Sequence, residues 1–186
     1  MTRPIDPEEV LARFHPPGSP LFDLLVRHGR QVAAKALAAA ERVADRHPDR
    51  AFIHEAAMLH DVGIGGTDSP GIGCRGAAPY VCHGVIGREM LEAAGLPRHA
   101  RVCERHVGVG LSAADVRRQG LPLPARDMRP VTIEEILICY ADKFFSKNGG
   151  GESRERTVDE VLALLARYGP GAADRFRVWA ERFEAP

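Results

Sequence analysis

The chain has 186 residues, of which 45% are hydrophobic and 27% charged, and its 25 basic residues balance its 25 acidic ones. This length suits one domain with a sizeable core of its own. A net charge of zero gives no reason to expect nucleic acid or an anionic membrane as a partner, so any anionic substrate would be held by ions or by a few placed Arg and Lys side chains.

The sequence carries no signal that would direct it out of the cytoplasm. Residues 1–18 lack the apolar segment of a signal peptide, and no segment approaches the roughly 18 continuous apolar residues of a membrane span. The four cysteines form no C-x-x-C pair, and a chain of this length does not need disulfides. We therefore expect a cytoplasmic protein with reduced thiols, either a monomer or a simple homodimer.

Helical periodicity runs through the chain, and no strand pattern is present. The main helices are predicted over 20–46, 51–62, 79–94, 97–107, 133–147, about 153–168 and 170–183. Ser19-Pro20 is typical of an N-cap followed by proline at N1, and Thr132-x-x-Glu135 is a capping box. The sequence thus predicts an all-α fold, a compact single-domain bundle of about seven or eight helices.

Two loop-rich stretches interrupt the helices. Residues 63–79 are so rich in Gly and Pro that they are predicted to form neither helix nor paired strand, and residues 108–131 hold only a short helix near 112–119. Long loops in a compact domain are usually functional or mobile, so we expect both to shape the pocket. Gly149-Gly-Gly151 is predicted to be a hinge or a tip.

Six ionisable side chains share a position on an inward helix face or at a helix end. They are His28, His60, Asp61, His83, His106 and Asp142. A single one has an ordinary explanation, such as a polar helix cap at His60 or a buried histidine bonded to a carbonyl at His28. Six together exceed what a core of this size satisfies without a common partner. Imidazole and carboxylate suit Zn, Fe, Mn, Co or Ni rather than a Ca or Mg cage.

The order of these residues resembles the HD-domain superfamily of metal-dependent phosphohydrolases, and more closely its branch with two extra histidines before the last Asp. The resemblance covers roughly 19–147. The run His60-Asp61-Val62-Gly63-Ile64 is similar to the HDIG form of the central motif, and Ala141-Asp142-Lys143 is similar to the closing motif. Residues 1–18 would then be an N-terminal extension, and residues 148–186 would be C-terminal helices that pack on the core.

The resemblance implies two divalent or mixed-valence transition-metal ions, most readily Fe or Mn, with Zn, Co or Ni as alternatives. One ion would be held by His28, His60, Asp61 and Asp142. The other would be held by His83 and His106, with Asp61 bridging the two. A metal-activated hydroxide would then cleave a phosphoester or phosphoanhydride bond of a nucleotide or other small phosphorylated metabolite.

Three basic residues are candidates for contacting such a substrate. Lys143 follows Asp142 directly, and the resemblance gives it a role with the phosphate or the bridging carboxylate, so that Asp61 and Lys143 are the predicted catalytic residues. Lys147 and Arg75 lie on or near the flexible loops. For all three the alternative is an ordinary solvated cation.

Two other functions stay open at this point. A mixed-valence di-iron oxygenase that acts on a small organic substrate uses the same six ligands, and a degenerate domain that only senses a nucleotide would lack some of them. Gly71–Gly76 spells G-x-G-x-x-G but follows no strand, and His54-Glu55 falls short of a zinc-protease motif. We discard both motifs.

Overall fold

The computed structural model describes residues 5–147, 154–168 and 170–184, and helices dominate this part of the chain. The α-helices, in chain order, are α1 (Pro7–Ala12), α2 (Pro20–Glu41), α3 (Arg50–Leu59), α4 (His83–Ala93), α5 (Pro97–Arg105), α6 (Ala113–Arg118), α7 (Ile133–Asp142), α8 (Val158–Leu165) and α9 (Pro170–Phe183). The all-α prediction is confirmed. Among the described residues the helix count is nine, slightly above the expected seven or eight. Two of the nine, α1 and α6, are only six residues long.

The predicted caps start the helices that carry the site. Ser19 Oγ accepts a hydrogen bond from the Phe22 amide at 3.2 Å at the start of α2. Thr132 and Glu135 form the reciprocal capping box of α7. Both contacts satisfy amides that the first helical turn leaves without a partner.

Several helices end earlier than the periodicity predicts. Helix α2 stops at Glu41 and is followed by a 3₁₀ turn, Ala44–Arg46. Pro48 limits only the end of that turn, where His47 leaves the right-handed helical region with a φ of +50°. Helix α7 stops at Asp142 and tightens into i→i−3 bonds at residues 143–145. The predicted helix 153–168 is α8 with a 3₁₀ turn at 166–168.

Helix α3 lies between two apolar clusters. Ile53 and Ala57 belong to the larger cluster, which also holds buried residues of α2, α7, α8 and α9. Met58 and Leu59, at the end of α3, belong to a second cluster with α1, α4 and α5. The residues that follow Leu59 therefore emerge where the two clusters meet.

The C-terminal helices pack against the core of the bundle. Phe176 stacks on Tyr140 with ring centroids 5.1 Å apart, and the Tyr140 hydroxyl donates to Glu184 at 2.5 Å. Lys35 of α2 pairs with the same Glu184 carboxylate at 2.7 Å. The expected domain boundary at 148 and the Gly149–Gly151 hinge lie outside the described residues.

The expectation that residues 63–79 form neither helix nor strand was wrong in detail. The segment contains 3₁₀ turns at Val62–Gly66 and Pro70–Ile72, and β1 (Asp68–Ser69) pairs antiparallel with β2 (Cys74–Arg75). The short hairpin closes because Gly73 adopts a φ of +79°, which glycine reaches without steric cost. The sequence showed no sign of these strands, because each has only two residues and is too short to show the alternation of apolar and polar side chains.

None of the helices in the described ranges has the length and apolar character that crossing a membrane requires.

Candidate metal centre

The six residues that the sequence singled out come together from five helices. His60 and Asp61 follow the last turn of α3, His83 opens α4, His106 caps α5, Asp142 ends α7, and His28 lies in the middle of α2. Each is between 1% and 6% exposed. Four of the five helices bring their residues in at or next to an end, where adjacent side chains can reach one point.

One group of donors contains His28, His60, Asp61 and Asp142, whose ligand atoms all lie within 4.8 Å of one another. Nε2 of His28 lies 2.9 Å from Oδ1 of Asp142, and Nε2 of His60 lies 3.3 Å from the same oxygen. Oδ2 of Asp61 lies 3.4 Å from the His28 nitrogen and 3.2 Å from the His60 nitrogen. Two imidazoles and two carboxylates thus surround one point.

The second group contains Asp61, His83 and His106. Its carboxylate contribution comes from the other oxygen of Asp61, since Oδ1 lies 3.5 Å from Nε2 of His83 and 3.3 Å from Nε2 of His106. Asp61 therefore faces the two groups with different oxygens, which is the arrangement of a bridging carboxylate.

Backbone contacts orient three of the imidazoles. In each, Nδ1 lies 2.6 to 2.7 Å from the carbonyl oxygen three residues earlier in the chain, so Nδ1–H donates to that oxygen. The three residues are His60, His83 and His106. When the ring is neutral this bond leaves the Nε2 lone pair directed into the site, as in metal-ligating histidines.

The contact between His83 and His106 provides the test of fit for a metal. Their Nε2 atoms lie 3.0 Å apart. Burial, and after it the nearby His106, lower the pKa of His83 to about 3. Burial also lowers the pKa of His106. Both rings are then neutral, and two facing lone pairs repel unless a cation lies between them. Metal–nitrogen bonds of about 2.0–2.1 Å allow this separation for two imidazoles that share one ion.

A buried polar atom without a hydrogen-bond partner also indicates a bound metal. Within the described residues, Oδ1 of Asp61, the oxygen that faces His83 and His106, is buried and has no hydrogen-bond partner. Buried polar atoms without partners are uncommon in native proteins and call for an ion or another ligand. The nitrogen and carboxylate donors suit a divalent transition metal. The cluster therefore has the composition and geometry of a divalent-metal site.

The remaining pKa shifts show how charge is distributed over the first group. Burial lowers the pKa of His28 to about 4. Burial also opposes a charge on His60, but Asp61 and Asp142 outweigh it and raise the pKa of His60 to about 9. Although burial disfavours both carboxylates, His60 and Lys147 hold the pKa of Asp61 well below its usual range, and Lys143 and Lys147 do the same for Asp142. Both acids are ionised, as metal ligands must be.

Lys143 and Lys147 both reach the ligand carboxylates. Nζ of Lys143 lies 2.6 Å from Oδ2 of Asp142 and 3.1 Å from the His106 carbonyl oxygen. Nζ of Lys147 lies 2.9 Å from Oδ2 of Asp61 and 3.5 Å from Oδ1 of Asp142. Each side chain is only 13% exposed, so neither is the solvated cation that was the alternative for it.

Arg75, the third predicted substrate residue, is not brought to this region. It lies exposed on β2 and does not line the cavity that opens onto the site. The reason is strand alternation: Cys74 is buried, so the next side chain points to the opposite face.

The cavity beside the donors has a volume of about 1040 Å³. The 63–79 and 108–131 loops both line it, as expected, through residues such as Ile72 and Leu111. Sequence reasoning missed two further contributions. The ring of Tyr80 lies against His83, with centroids 4.7 Å apart, and the segment after residue 153 supplies much of the rest of the lining.

A histidine outside the predicted set also bears on the site. His15 is buried and its ring nitrogen Nε2 lies 2.8 Å from the carbonyl oxygen of Val62, the residue after Asp61. It therefore anchors the turn that follows the ligand pair. Its place next to Pro16 gave no sign of this, because the contact joins residues 47 positions apart.

Comparison with known proteins gives a family match and a few relatives. The family model described as HD domain matches residues 25–146. The chain is 32% identical over 126 residues to a protein named tRNA (cytidine(56)-2'-O)-methyltransferase from Picrophilus torridus, and 28% identical over 125 residues to its namesake from Thermoplasma volcanium. Each match covers 67% of this chain but 32% of the relative.

A third relative is closer to this chain in length. An uncharacterized protein of Methanocaldococcus jannaschii is 30% identical over 122 residues, which is 65% of this chain and 62% of that protein. No solved structure matches the chain.

Proposed function

Since the chain belongs to the HD-domain family, we propose that it is a phosphohydrolase that uses two metal ions to cleave a phosphoester or phosphoanhydride bond of a nucleotide or other small phosphorylated metabolite. The observation that carries this proposal is the position of Asp61, whose two oxygens face two separate groups of imidazoles. A single structural ion would not need a carboxylate placed between two sets of donors.

The ligand assignment follows the two groups. His28, His60, Asp61 and Asp142 would hold one ion, and His83 and His106 would share the second with Asp61. When bound, such a pair of ions lowers the pKa of water and stabilises the charge that develops on a phosphoryl group. Fe and Mn are the proposed metals, because a mixed nitrogen and carboxylate shell accepts them and cellular supply selects among the metals that fit.

The chain's own groups supply positioning and positive charge. Lys143 holds the Asp142 carboxylate from one side while it donates to the His106 carbonyl oxygen, so it links a ligand of each group. Lys147 lines the cavity, and its ammonium group lies 2.9 Å from Oδ2 of Asp61. An anionic phosphoryl group that enters the cavity is attracted to these two cations, which act at short range in a partly water-excluded site.

The names of two relatives bear on the substrate only indirectly. The chain spans about a third of each tRNA methyltransferase, so methyl transfer by those proteins is not carried over to it. Their names do make RNA a substrate worth testing beside small metabolites, although the zero net charge of this chain gives it no general affinity for nucleic acid.

The experiment is a substrate panel on protein loaded anaerobically with Fe or Mn. The panel contains phosphomonoesters, phosphodiesters, dinucleoside polyphosphates and a tRNA, and phosphate release or bond cleavage is measured. We expect turnover of at least one small phosphorylated compound, and its loss in Asp61→Asn. The control His54→Ala, an exposed residue of α3, should keep full activity.

Two results would contradict the proposal. Oxygen consumption, together with a mixed-valence Fe(II)/Fe(III) electron paramagnetic resonance signal that sharpens with substrate, would identify an oxygenase. Tight nucleotide binding without any turnover across the panel would identify a sensor domain.

A further inference from the structure

The cavity carries a second set of cations that the two groups of metal donors do not use. Arg156, Arg167 and Arg175, all from the segment that follows residue 153, line the same cavity as His83 and His106. They belong to the connection before α8, the 3₁₀ turn after it, and α9. The C-terminal segment therefore contributes charge to the site as well as packing.

These three arginines differ from the other cations of the cavity in having no acidic partner among the described residues. Lys143 and Lys147 pair with the ligand carboxylates. Arg118, also in the lining, pairs with Asp115 at 2.5 Å. In a chain whose total charge is zero, an unpaired surplus of three cations in one cavity produces a local positive potential that favours anions.

Arg156 and Arg175 are held in place by hydrogen bonds to backbone carbonyl oxygens, but most of their N–H donors remain free. Arg156 donates from Nη1 to the Lys143 carbonyl oxygen at 3.1 Å. Arg175 donates from Nη1 to the carbonyl oxygens of Val109 and Gly110, both at 2.9 Å. Carbonyl oxygens do not neutralise a charge, and a guanidinium group has five N–H donors, so most remain available in both residues. Arg167 makes no hydrogen bond or ion pair in the described part of the chain.

The size of the cavity exceeds what one phosphoryl group needs. Its volume of about 1040 Å³ lies at the top of the range of roughly 300–1,000 Å³ that is usual for small-molecule pockets. Besides the metal donors and the three arginines, apolar side chains line the cavity, including Leu111, Val161 and Leu164. There is room for an organic body that has an anionic group at each end.

We propose that Arg156, Arg167 and Arg175 form a second anion subsite, and that the substrate carries a second phosphate or carboxylate joined by an organic body to the phosphoryl group at the metal donors. Guanidinium groups bind both kinds of anion through paired, charge-assisted hydrogen bonds. This inference rests on the proposed function, because it assumes that a phosphoryl group occupies the metal end. It narrows the substrate class to compounds with two separated anionic groups.

The test compares pairs of non-hydrolysable probes on metal-loaded protein by isothermal titration calorimetry. Each α,ω-alkane bisphosphonate, over a series of increasing length, is paired with the alkylphosphonate of the same length. We expect a favoured length at which the bisphosphonate binds about tenfold tighter or more, the effect of one or two charge-assisted hydrogen bonds. Metal content is measured after each titration, to show that the probe has not removed the ions.

The variants assign that gain to the arginines. Arg167→Ala removes an exposed side chain that makes no hydrogen bond or ion pair with the described residues. It should abolish the bisphosphonate advantage and leave alkylphosphonate affinity unchanged. Arg175→Ala should have the same effect if the variant folds. If it does not fold, the Arg167→Ala variant alone tests the subsite. Arg177→Ala is the matched control: it is also on α9, pairs with Asp174 at 2.7 Å, does not line the cavity, and should change neither affinity.

Equal affinities for both probes at every length would overturn the inference. So would an Arg167→Ala variant that lowers the affinity for both probes equally, or a protein that binds neither probe. Its failure is distinguishable from that of the proposed function, because the subsite is measured by a difference in binding and the hydrolase by turnover on the ester panel. A bisphosphonate advantage without any turnover would retain the subsite and reject the hydrolase.

Discussion

The ammonium nitrogen of Lys147 lies 2.9 Å from Oδ2 of Asp61, the carboxylate that both groups of histidines face. The same nitrogen is 3.5 Å from Asp142, so one lysine is the counter-ion of both ligand carboxylates. Burial opposes the charge on Lys147, but Asp142 and Asp61 outweigh it and raise the pKa of Lys147 well above its usual value. A bound metal would provide positive charge at the same two carboxylates.

We therefore expect Lys147→Met to destabilise the metal-free protein more than the metal-loaded protein. Without metal, the substitution leaves buried carboxylates short of a counter-ion, at a cost of about 3 kcal/mol in the free energy of unfolding. Urea unfolding of chelator-treated and metal-loaded samples measures both states. Lys35→Met, which breaks a pair with Glu184 away from the site, should cost the same in both. An equal loss for Lys147→Met in the two states would show that its charge and the metal do not substitute for each other.

Gly63 is needed because the turn after the ligand pair touches α4. A Cβ at this position would lie 2.2 Å from the His83 carbonyl oxygen and 2.3 Å from the Gly87 amide nitrogen, both backbone atoms. Gly63→Ala should lower the free energy of unfolding by about 1–3 kcal/mol through overpacking. It should also weaken metal binding at His83, since α4 must shift.

The matched control is Gly71→Ala in the same loop, where a Cβ would meet nothing within 4 Å. Thermal unfolding and metal content are the measurements for both variants. A Gly63→Ala protein as stable as the Gly71→Ala protein, with the same metal content, would contradict the packing argument.

Lys143 is expected to act as a positioning residue. It bonds Asp142 and the His106 carbonyl oxygen, and loss of such partners of metal ligands typically lowers activity or metal affinity about 10–100-fold. Lys143→Ala should therefore reduce kcat/KM by that order on any substrate found in the panel. Arg101→Ala, at an exposed position on α5, should leave it unchanged. If kcat/KM of Lys143→Ala equals that of the wild type, Lys143 has no part in the mechanism.

The inward positions of the ligands were predictable because they follow from local rules, whereas the grouping of the ligands around two ions was implied only by the family resemblance. Helical periodicity places His28 on the inward face of α2, and the end of an apolar helix places His60 and Asp61 together. The caps at Ser19 and Thr132 are local in the same sense, since each side chain bonds an amide three residues away. These features need no knowledge of how the helices are arranged.

The surroundings of the ligands depend on contacts distant in sequence, and the sequence did not reveal them. Lys147 reaches Asp61 from beyond the end of α7 at Asp142, and the two residues are far apart in the sequence. Arg75 was misplaced because its direction depends on the register of a two-residue hairpin. Arg156, Arg167 and Arg175 carry no motif, and the packing of the C-terminal segment brings them to the cavity.

The most direct test of the central claim is the metal content of protein purified anaerobically, measured by elemental analysis on wild type, His83→Ala and the exposed-residue control His54→Ala. Two groups of donors that share Asp61 predict about two transition-metal ions per chain in wild type and control, and about one in His83→Ala. A wild-type chain that never holds more than one ion, or a His83→Ala chain that holds as much metal as wild type, would contradict the account.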